Sequence, residues 1–345
     1  MDLHVKNTDS NFASRTRAQK VHSLSVIVPV YNEAAVLPQF QRRLAAVLAD
    51  ITSRWEVLYV DDGSTDDTQS ILSKFQAANP CNIGVIRFSR NFGKEQAMTA
   101  GLARARGDAA IVIDADLQDP PEVIPTMVEA WQRGVDVVNM RRESRAGENW
   151  FKRFTAYAFY RSINRVSDVP IPNDVGDFRL FSRAALDALN QLPERNRFMK
   201  GLFAWIGYPQ VTISYHRDAR HAGRTKWRYW KLWNFAIEGI TSFSTVPLKL
   251  ATFAGLLSAT CAFLYATFVA IKTVLIGDPV PGFPTLIVVV LFFAGIQLIA
   301  LGVLGEYVGR IYIESKQRPL YLVEDYRPAR NVGELRADSP LSIAR

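Results

Sequence analysis

Three side chains with oxygen ligands follow a short apolar run near the middle of the chain. Residues 109–113 have the composition of a buried strand, and Asp114, Asp116 and Gln118 come directly after them. Side chains two positions apart on an extended segment point to the same side, so these three are expected to converge on one hard cation. Mg²⁺ binds oxygen ligands and neutralises charge on a departing phosphate. The pattern therefore fits a metal site that holds a pyrophosphate, and it fits an ordinary polar loop after a strand equally well.

A second pair of carboxylates, Asp61 and Asp62, follows another β-rich run, residues 55–60. Two pairs of carboxylates on one pyrophosphate would repel each other, so hydrogen bonding to a ribose or a base is the simplest use of this pair. The chain has no Gly-x-Gly-x-x-Gly after its first strand and no Gly-Lys-Ser/Thr loop. A Rossmann dehydrogenase or a P-loop enzyme is therefore poorly supported, and a nucleotide would be bound in another way.

An alternation of β-rich runs and helix-length segments must position these side chains. The predicted strands are 24–30, 55–60, 83–88, 109–113 and 135–139, and the predicted helices are 37–50, 67–78, 94–105 and 121–131. This spacing predicts right-handed βαβ units and a mostly parallel sheet. Ligands of such sheets bind beyond the carboxyl ends of the strands, and three of those ends are polar, at 31–33, 61–64 and 114–119.

Two long segments in the C-terminal part carry no charged residue, 250–271 and 279–305. Each is long enough to cross a hydrocarbon core of roughly 30 Å as a helix. We therefore predict transmembrane helices at 248–276 and 283–307, joined by a short non-cytoplasmic turn at 277–282 that is rich in Gly and Pro. A pair of buried core helices is the competing interpretation, and cores rarely supply two uncharged runs of this length.

The distribution of basic residues predicts the orientation in the membrane. Lys and Arg lie before the first apolar segment and after the second, and the turn between the two has neither. We therefore expect a multi-pass protein of the inner (cytoplasmic) membrane with both termini cytoplasmic, including the tail at 308–345. The segments 150–166 and 227–247 mix aromatic and basic residues, which is typical of interfacial amphipathic helices, although ordinary packing competes for the first.

The remaining composition excludes several classes of protein. A net charge of +8 with basic residues near the apolar segments fits anionic lipid headgroups or phosphate substrates better than nucleic acid. Two cysteines are too few for a disulfide framework or a zinc site. Residues 1–22 are polar, lack an apolar signal core and are expected to be a flexible N-terminal segment.

Five short motifs occur in order along the chain. They are Pro-Val-Tyr-Asn-Glu at 29–33, Asp-Asp-Gly-Ser at 61–64, Ser-Arg-Asn-Phe-Gly-Lys at 89–94, Asp-Ala-Asp-Leu-Gln-Asp-Pro-Pro-Glu at 114–122 and Gly-Asp-Phe-Arg-Leu at 176–180. Together they resemble the motifs of family 2 glycosyltransferases that act on polyprenyl phosphates. The subgroup that the chain resembles is the bactoprenol glucosyltransferases that serve O-antigen modification of lipopolysaccharide, with dolichyl-phosphate mannose synthase as a more distant relative. The resemblance extends from about residue 24 to residue 316.

The resemblance implies an α/β GT-A catalytic domain at 23–226 and a set of site residues. Asp177 and Asp116 would be catalytic, and Mg²⁺ or Mn²⁺ would be held by Asp114, Asp116 and Gln118. The nucleotide sugar would be bound by Pro29, Tyr31, Glu33, Asp62, Lys94 and Asp114, and by Arg217, Arg220 and Lys226 of a basic loop. Arg141 and Arg153 would bind the acceptor phosphate, and a solvated basic face is the competing interpretation of these two arginines.

The chemistry of a lipid phosphate agrees with this implication. Its second pKa is about 6, so it is largely ionised near neutral pH and can attack an anomeric carbon without a strong general base. We therefore interpret Asp177 as an orienting or weakly basic group and expect single displacement with inversion.

Three functions stay open at this stage. The first is transfer of a sugar, glucose as the leading candidate, from a UDP-sugar to polyprenyl (undecaprenyl) phosphate. A processive polysaccharide synthase is the second, although the chain lacks a Gln-x-x-Arg-Trp motif, and a catalytically silent sugar-nucleotide-binding membrane scaffold is the third. The expected partners are the bilayer, other copies of the chain in a homo-oligomer such as a tetramer, and a lipid-sugar flippase.

Overall fold

The computed structural model describes residues 23–142, 175–195, 197, 199–215, 246–276 and 282–330. The chain forms two compact units. The first contains the described residues up to 215 together with those from 319 onward, and the second contains those from 246 to 318.

The first unit is built on an eight-stranded mixed sheet. Its strands are β1 Leu24–Val30, β2 Trp55–Asp61, β3 Ile83–Phe88, β4 Ala109–Val112, β5 Val137–Arg142, β6 Val175–Ser182, β7 Gln210–Tyr215 and β8 Val323–Arg327. The strand order across the sheet is β7-β5-β6-β4-β1-β2-β3-β8. Strand β1 runs parallel to β2 and β4, β2 to β3 and β5 to β7, whereas β6 is antiparallel to both β4 and β5, and β8 is antiparallel to β3.

Helices alternate with the strands in the first unit and form the second. They are α1 Leu37–Ile51, α2 Thr68–Ala78, α3 Lys94–Arg104, α4 Ile124–Gln132 after a 3-10 turn at Pro121–Val123, α5 Arg183–Asn190, α6 Met199–Trp205, α7 Val246–Ile276 and α8 Phe283–Lys316. The five predicted strands and four predicted helices are all present, with ends that differ by a few residues. The sheet is mixed where a mostly parallel one was predicted, because β6 and β8 enter it antiparallel.

Apolar periodicity explains how the first unit forms its core. In α1 the buried side chains are Leu37, Phe40, Leu44 and Leu48, which lie on one face of a helix. Strand β2 is buried along its whole length, as expected for a parallel strand covered on both faces. Helix α3 lies very close to the sheet at Gly101, where a Cβ atom would stand 2.3 Å from Cγ2 of Ile27. This contact fixes α3, whose first residue, Lys94, reaches the candidate site.

The chain after α8 returns to the first unit. The sequence predicts a cytoplasmic tail from residue 308, but α8 continues to Lys316 and the following segment supplies β8, the edge strand beside β3. Strand β8 has the sequence Val-Glu-Asp-Tyr-Arg, which is charged and short, as edge strands often are. Its lack of an apolar alternation explains why the sequence did not indicate a strand there.

The second unit consists of α7 and α8, of 31 and 34 residues, which pack against each other. Many of their large apolar side chains are exposed, among them Phe263, Leu275 and Leu298. By length and composition, one helical segment of the described residues could span a membrane, Phe292–Lys316 with a mean hydropathy of 1.6, and Leu250–Tyr265 is a shorter apolar segment. Two spanning helices therefore stay a prediction. The predicted interfacial segments lie outside the described residues, except that residues 246 and 247 begin α7.

Candidate active site

A cavity of about 350 Å³ lies at the carboxyl ends of β1, β2 and β4. This is the edge of a parallel sheet at which ligands bind. The lining residues are Pro29, Val30, Tyr31, Glu33, Asp62, Asn91, Gly93, Lys94, Ala97, Asp114, Ala115 and Asp116. We call Pro29, Tyr31, Glu33 and Asp62 the nucleoside wall, and Lys94, Asp114 and Asp116 together with the adjoining Asp177 the charged wall.

The loops of the nucleoside wall are tied to each other through Asn32. This residue has a φ of 56°, in the left-handed region that Asn tolerates better than most side chains. Its backbone N–H donates to Oγ of Ser64 at 3.0 Å, and its Oδ1 accepts from the backbone N–H of Thr65 at 2.8 Å. The next residue, Glu33, donates its N–H to Oγ1 of Thr68 at 3.0 Å. The loop after β1 is therefore anchored to the loop after β2 before any ligand binds.

Asp62 anchors a third loop. Its carboxylate is almost fully buried and accepts the backbone N–H groups of Phe92, at 2.6 Å, and of Gly93, at 2.9 Å. Burial raises the pKa of Asp62, while the two N–H donors oppose that rise. The neighbouring Gly63 has a φ of 69°, and a Cβ atom there would lie 2.4 Å from the backbone carbon of Arg90. The two loops touch so closely that only glycine fits.

The charged wall is held together by one ammonium group. Nζ of Lys94 lies 2.7 Å from Oδ1 of Asp114 and 2.6 Å from Oδ2 of Asp177. Burial by itself lowers the pKa of Lys94, but the carboxylates of Asp114 and Asp177 outweigh it and raise that pKa above its ordinary value. Burial and the carboxylate of Asp177 raise the pKa of Asp114, and Lys94 opposes them. The three side chains therefore form one coupled group, with the lysine charged.

The register of β4 and β6 explains why these carboxylates meet. Val112 pairs with Arg179, and the same antiparallel register two residues further places Asp114 opposite Asp177. Lys94 reaches them from the first turn of α3. Residues 63 positions apart thus come together on one wall through a pairing that no local pattern reveals.

The segment after Asp114 turns, whereas an extended conformation was expected. Leu117 has a φ of 60°, and the backbone N–H of Gln118 donates to Oδ1 of Asp116 at 3.0 Å, which is an Asx turn. The alternation of side chains along an extended strand therefore does not determine where Asp114, Asp116 and Gln118 point. Asp114 and Asp116 line the cavity, whereas the side chain of Gln118 is buried and is not among the lining residues.

The carboxylates at the cavity fit a metal ion that takes some of its ligands from the protein and the others from a substrate. Within the part of the chain that the structure describes, no group of three or more His, Cys, Asp or Glu side chains is arranged to hold a metal by itself. Asp114 and Asp116 nevertheless offer carboxylate oxygens to the cavity. Mg²⁺ commonly binds through one or two carboxylates and takes further oxygens from substrate phosphates and water. These two residues fit that mode of binding.

Comparisons with known proteins agree with this geometry. Residues 25–189 match the family model for glycosyl transferase family 2. The chain is 50% identical over 302 residues to an uncharacterized glycosyltransferase of Synechocystis, covering 88% of this chain and 95% of that protein. It is 47% identical over 302 residues to the bactoprenol glucosyl transferase of Shigella phage SfV, covering 88% and 98%. The chain belongs to glycosyltransferase family 2.

A solved structure is similar at a greater distance. The glucosyl-3-phosphoglycerate synthase of Mycobacterium tuberculosis, in complex with Mn²⁺, UDP-glucose and phosphoglyceric acid, has 18% sequence identity and a TM-score of 0.44. The match covers 68% of this chain and 83% of that chain. The sheet of the present chain is mixed and flanked by helices. This arrangement is GT-A-like, as the sequence motifs implied.

Several predicted site residues of this glycosyltransferase either are not among the residues that line the cavity or lie outside the described residues. Arg141, predicted to bind the acceptor phosphate, is exposed on β5. Arg153, Arg217, Arg220 and Lys226 lie outside the described residues. Their predicted roles toward the acceptor and the diphosphate therefore stay predictions.

Two structural features of the enzyme's site were not predicted. The first is the pair of backbone donors at Phe92 and Gly93, which belong to the motif at 89–94 but whose N–H contacts with Asp62 the motif did not indicate. The second is the bond from the hydroxyl of Tyr215 to the carboxylate of Asp119, both buried. It ties the end of β7 to the turn that carries Asp114 and Asp116. A tyrosine at the end of a strand carries no signal for such a role.

Proposed function

We propose that this glycosyltransferase moves a sugar, with glucose as the leading candidate, from a UDP-sugar to polyprenyl phosphate. The observation that carries the proposal is the contact of Lys94 with Asp114 and Asp177 on the wall of a cavity at the sheet's ligand-binding edge. The name of the phage relative, a bactoprenol glucosyl transferase that this chain matches over 98% of that protein's length, supports the acceptor and the sugar.

Each of the two walls would bind a different part of the nucleotide sugar. The nucleoside wall offers the ring of Tyr31 and buried polar groups to the base and ribose. The charged wall receives the diphosphate and the sugar, because Lys94 can bind phosphate oxygens and Asp177 lies within 2.6 Å of it. The reacting carbon of the donor would then lie beside Asp177.

The role of Asp177 follows from the chemistry of the acceptor. A phosphate that is already ionised needs no strong base, so the enzyme has to gather anions and stabilise the departing diphosphate. The ion pair with Lys94 holds the Asp177 carboxylate in one orientation. We therefore assign Asp177 to orienting the acceptor in a single displacement with inversion, and Asp116 to the departing diphosphate.

A divalent ion would be held by Asp114 and Asp116, with Mg²⁺ and Mn²⁺ as candidates. When bound, it supplies positive charge to the leaving diphosphate. The side chain of Lys94 supplies a second positive charge from the same wall, and it would exchange part of its contact with Asp114 for contact with phosphate oxygens. Gln118 stays a predicted third ligand of this ion; its backbone N–H closes the turn at Asp116, and its side chain is not among those that line the cavity.

The proposed location is the cytoplasmic membrane, crossed twice by α7 and α8. At 1.5 Å per residue the 31 and 34 residues of these helices extend about 46 Å and 51 Å, more than the hydrocarbon core requires. Strand β8 follows α8 and pairs with β3 of the catalytic sheet. If the chain crossed the bilayer only once between β7 and β8, these two strands of one sheet would lie on opposite sides of the membrane. The pairing therefore supports an even number of crossings, with the catalytic unit and the end of α8 on the same side.

Four further assignments complete the proposal. Arg141 and Arg153 would bind the acceptor phosphate, and Arg217, Arg220 and Lys226 would contact the diphosphate. The enzyme would work as a homo-oligomer, and a flippase would carry its product across the membrane toward O-antigen modification.

The test is transfer of labelled sugar to lipid by the purified full chain in detergent or nanodiscs. The reaction contains radiolabelled UDP-glucose, undecaprenyl phosphate and Mg²⁺, and we expect label in the lipid fraction with an inverted anomeric configuration. Loss of transfer in a chelator and recovery with Mg²⁺ or Mn²⁺ is expected, and full transfer in the chelator would contradict the metal assignment. Long polymer, or nucleotide binding without transfer from any of a panel of UDP- and GDP-sugars, would overturn the proposal.

A further inference from the structure

The segment that follows α8 runs along β3 to the loop that lines the cavity. Strand β8 pairs antiparallel with β3 from Val85 opposite Arg327 to Phe88 opposite Val323, with a shift in register at Glu324. Beyond the strand, the backbone N–H of Ser89 donates to the carbonyl oxygen of Leu322 at 3.1 Å. The tail therefore contacts Ser89, the first residue of the loop 89–93 that follows β3. This loop supplies lining residues of the cavity.

An aromatic stack continues from the tail into that loop. The ring of Tyr321 lies parallel to the ring of Phe88, with centroids 4.9 Å apart and an interplanar angle of 12°. Phe88, which is 1% exposed, packs edge-on against Phe92 with centroids 5.7 Å apart. Arg104, at the end of α3, donates from Nη1 to the hydroxyl of Tyr321 at 3.1 Å. Tyr321 thus contacts both the strand before the loop and the helix after it.

Phe92 is also the residue that ties the loop to the nucleoside wall. Its backbone N–H donates to Asp62 at 2.6 Å, and the adjacent Gly93 donates to the same carboxylate at 2.9 Å. Two ring contacts and one hydrogen bond therefore connect Tyr321 to Asp62. Loss of the Tyr321 ring removes the support on one side of Phe88, against which Phe92 packs.

A second connection runs through charged side chains. Glu324 of β8 lies 3.3 Å from Nε of Arg87, and the same Nε faces Oδ2 of Asp61 at 4.0 Å. Asp61 is 1% exposed, and its other oxygen accepts the backbone N–H of Ser64 at 2.9 Å. Through Arg87, the tail is therefore also connected to the turn 61–64, which contains Asp62.

We infer that the C-terminal tail positions the nucleotide-binding loops, with Tyr321 as a positioning residue for Phe92 and Gly93 and Glu324 as a weaker one for the turn 61–64. The inference rests on the proposed function in one respect, that the cavity binds the nucleotide of the donor. Four residues separate Tyr321 from Lys316, the last residue of α8.

The decisive experiment compares Tyr321→Ala with two matched variants in the full chain in nanodiscs. Tyr321→Phe keeps the ring and loses the hydroxyl, and Leu322→Ala changes the neighbouring exposed side chain while its backbone carbonyl still accepts from Ser89. Hydrogen–deuterium exchange of peptides that cover 89–93 is measured without ligand. We expect faster exchange at Phe92 and Gly93 in Tyr321→Ala only, with an unchanged exchange pattern in β1 and β2.

The same variants are then compared in nucleotide binding and turnover. An aromatic contact of this kind corresponds to about a 3- to 10-fold change in affinity. We expect Tyr321→Ala to raise the Kd for UDP and the KM for UDP-glucose by about that factor, with kcat and the KM for undecaprenyl phosphate within about twofold of wild type. Tyr321→Phe and Leu322→Ala should stay close to wild type, and Glu324→Gln should show the same pattern as Tyr321→Ala with a smaller amplitude.

Each outcome decides the inference separately from the proposed function. Wild-type exchange at 89–93 in Tyr321→Ala, or equal losses in Tyr321→Ala and Leu322→Ala, overturns the positioning role. If wild type binds neither UDP nor GDP and transfers no sugar, the proposed function fails, and the exchange comparison still decides whether Tyr321 orders the loop. If Tyr321→Ala does not fold, Glu324→Gln decides, and wild-type UDP binding and exchange at 61–64 in that variant overturn the inference.

Discussion

The two walls of the cavity are built in different ways. On the nucleoside wall, backbone N–H groups bind short side chains, so that Asp62 holds Phe92 and Gly93 and Asn32 binds residues of the next loop. On the charged wall, a long lysine side chain that is 41% exposed holds two carboxylates. Under the proposed function, the first arrangement would be preorganised for a base and ribose, and the second would rearrange around a diphosphate and a metal. The difference indicates that binding of the nucleotide and stabilisation of the leaving group can be altered separately.

Replacement of Asp116 by Asn should break the charged wall most severely. The amide keeps the shape of the side chain and removes the negative charge that would hold the metal on the diphosphate. We expect transfer to fall by about 100-fold or more, with folding and membrane insertion unchanged. The measurement is lipid-bound label per enzyme, and Asp50→Asn, at the exposed end of α1, is the control. Turnover at the wild-type rate in Asp116→Asn would show that this carboxylate has no part in catalysis.

Replacement of Lys94 by Met tests whether the ammonium organises that wall. The change leaves Asp114 and Asp177 facing each other without the cation that now lies between them. We expect kcat to fall by about 10- to 100-fold, and Lys94→Arg to recover part of the loss because it restores the charge. Steady-state kinetics with UDP-glucose and undecaprenyl phosphate measure this. A change confined to the KM for the donor would assign Lys94 to binding alone.

Asp62→Asn should loosen the loop that Asp62 holds in the nucleoside wall and leave the contacts of the charged wall unchanged. Its carboxylate accepts two backbone N–H groups, and an amide oxygen accepts them more weakly. We expect the Kd for UDP to rise about 10-fold with kcat little changed. Because burial raises the pKa of Asp62, UDP affinity of wild type should fall as the pH drops through that raised pKa, and Asp62→Asn should lack this dependence. Calorimetric titrations at several pH values measure both effects, and an equal loss of kcat would contradict the separation of the walls.

Arg43→Ala should have the smallest effect, because it lies outside both walls. Nε and Nη2 of Arg43 bind Glu122 at 2.8 Å each, on the partly exposed surface between α1 and the 3-10 turn. The hydrogen bond from Arg43 lowers the pKa of Glu122, so the pair stabilises the fold above the ordinary pKa of a Glu and loses this contribution as the pH falls through the lowered value. We expect a loss of less than about 1 kcal/mol at neutral pH, measured by denaturant unfolding, with unchanged transfer. A large loss of activity would show that the charged wall depends on this surface.

Much of the fold was predictable because its signals are local. The alternation of apolar and polar residues indicated β1 to β5 and α1 to α4, and polar residues at strand ends indicated the position of the cavity. The antiparallel strands β6 and β8 were missed because β6 carries Asp177 and Arg179 within a buried strand and β8 is mostly polar. Arg179 is 1% exposed, with its guanidinium 4.7 Å from the ring centroid of Phe203, an environment that composition does not indicate.

Five side chains that the structure brings together were named from the sequence, whereas their contacts were not, and their roles stay predictions. Asp62, Lys94, Asp114, Asp116 and Asp177 were named from motifs, and the structure brings all five to one edge of the sheet. The extended conformation expected at 114–118 was wrong because the backbone turns at Leu117, which has a positive φ. A leucine carries no signal for such a turn, since Gly, which has no Cβ, and to a lesser extent Asn and Asp are the residues that adopt it routinely.

By itself, the sequence determined the order of β1 to β5 and α1 to α4, the family and the chemical types available at the site, because periodicity, composition and motifs are properties of neighbouring residues. Only the tertiary structure decided that Lys94 lies between Asp114 and Asp177 and that the tail after α8 joins β3. Both arrangements depend on the register and packing of strands that are far apart in the chain. Such pairings form through long-range contacts, which no short stretch of sequence specifies.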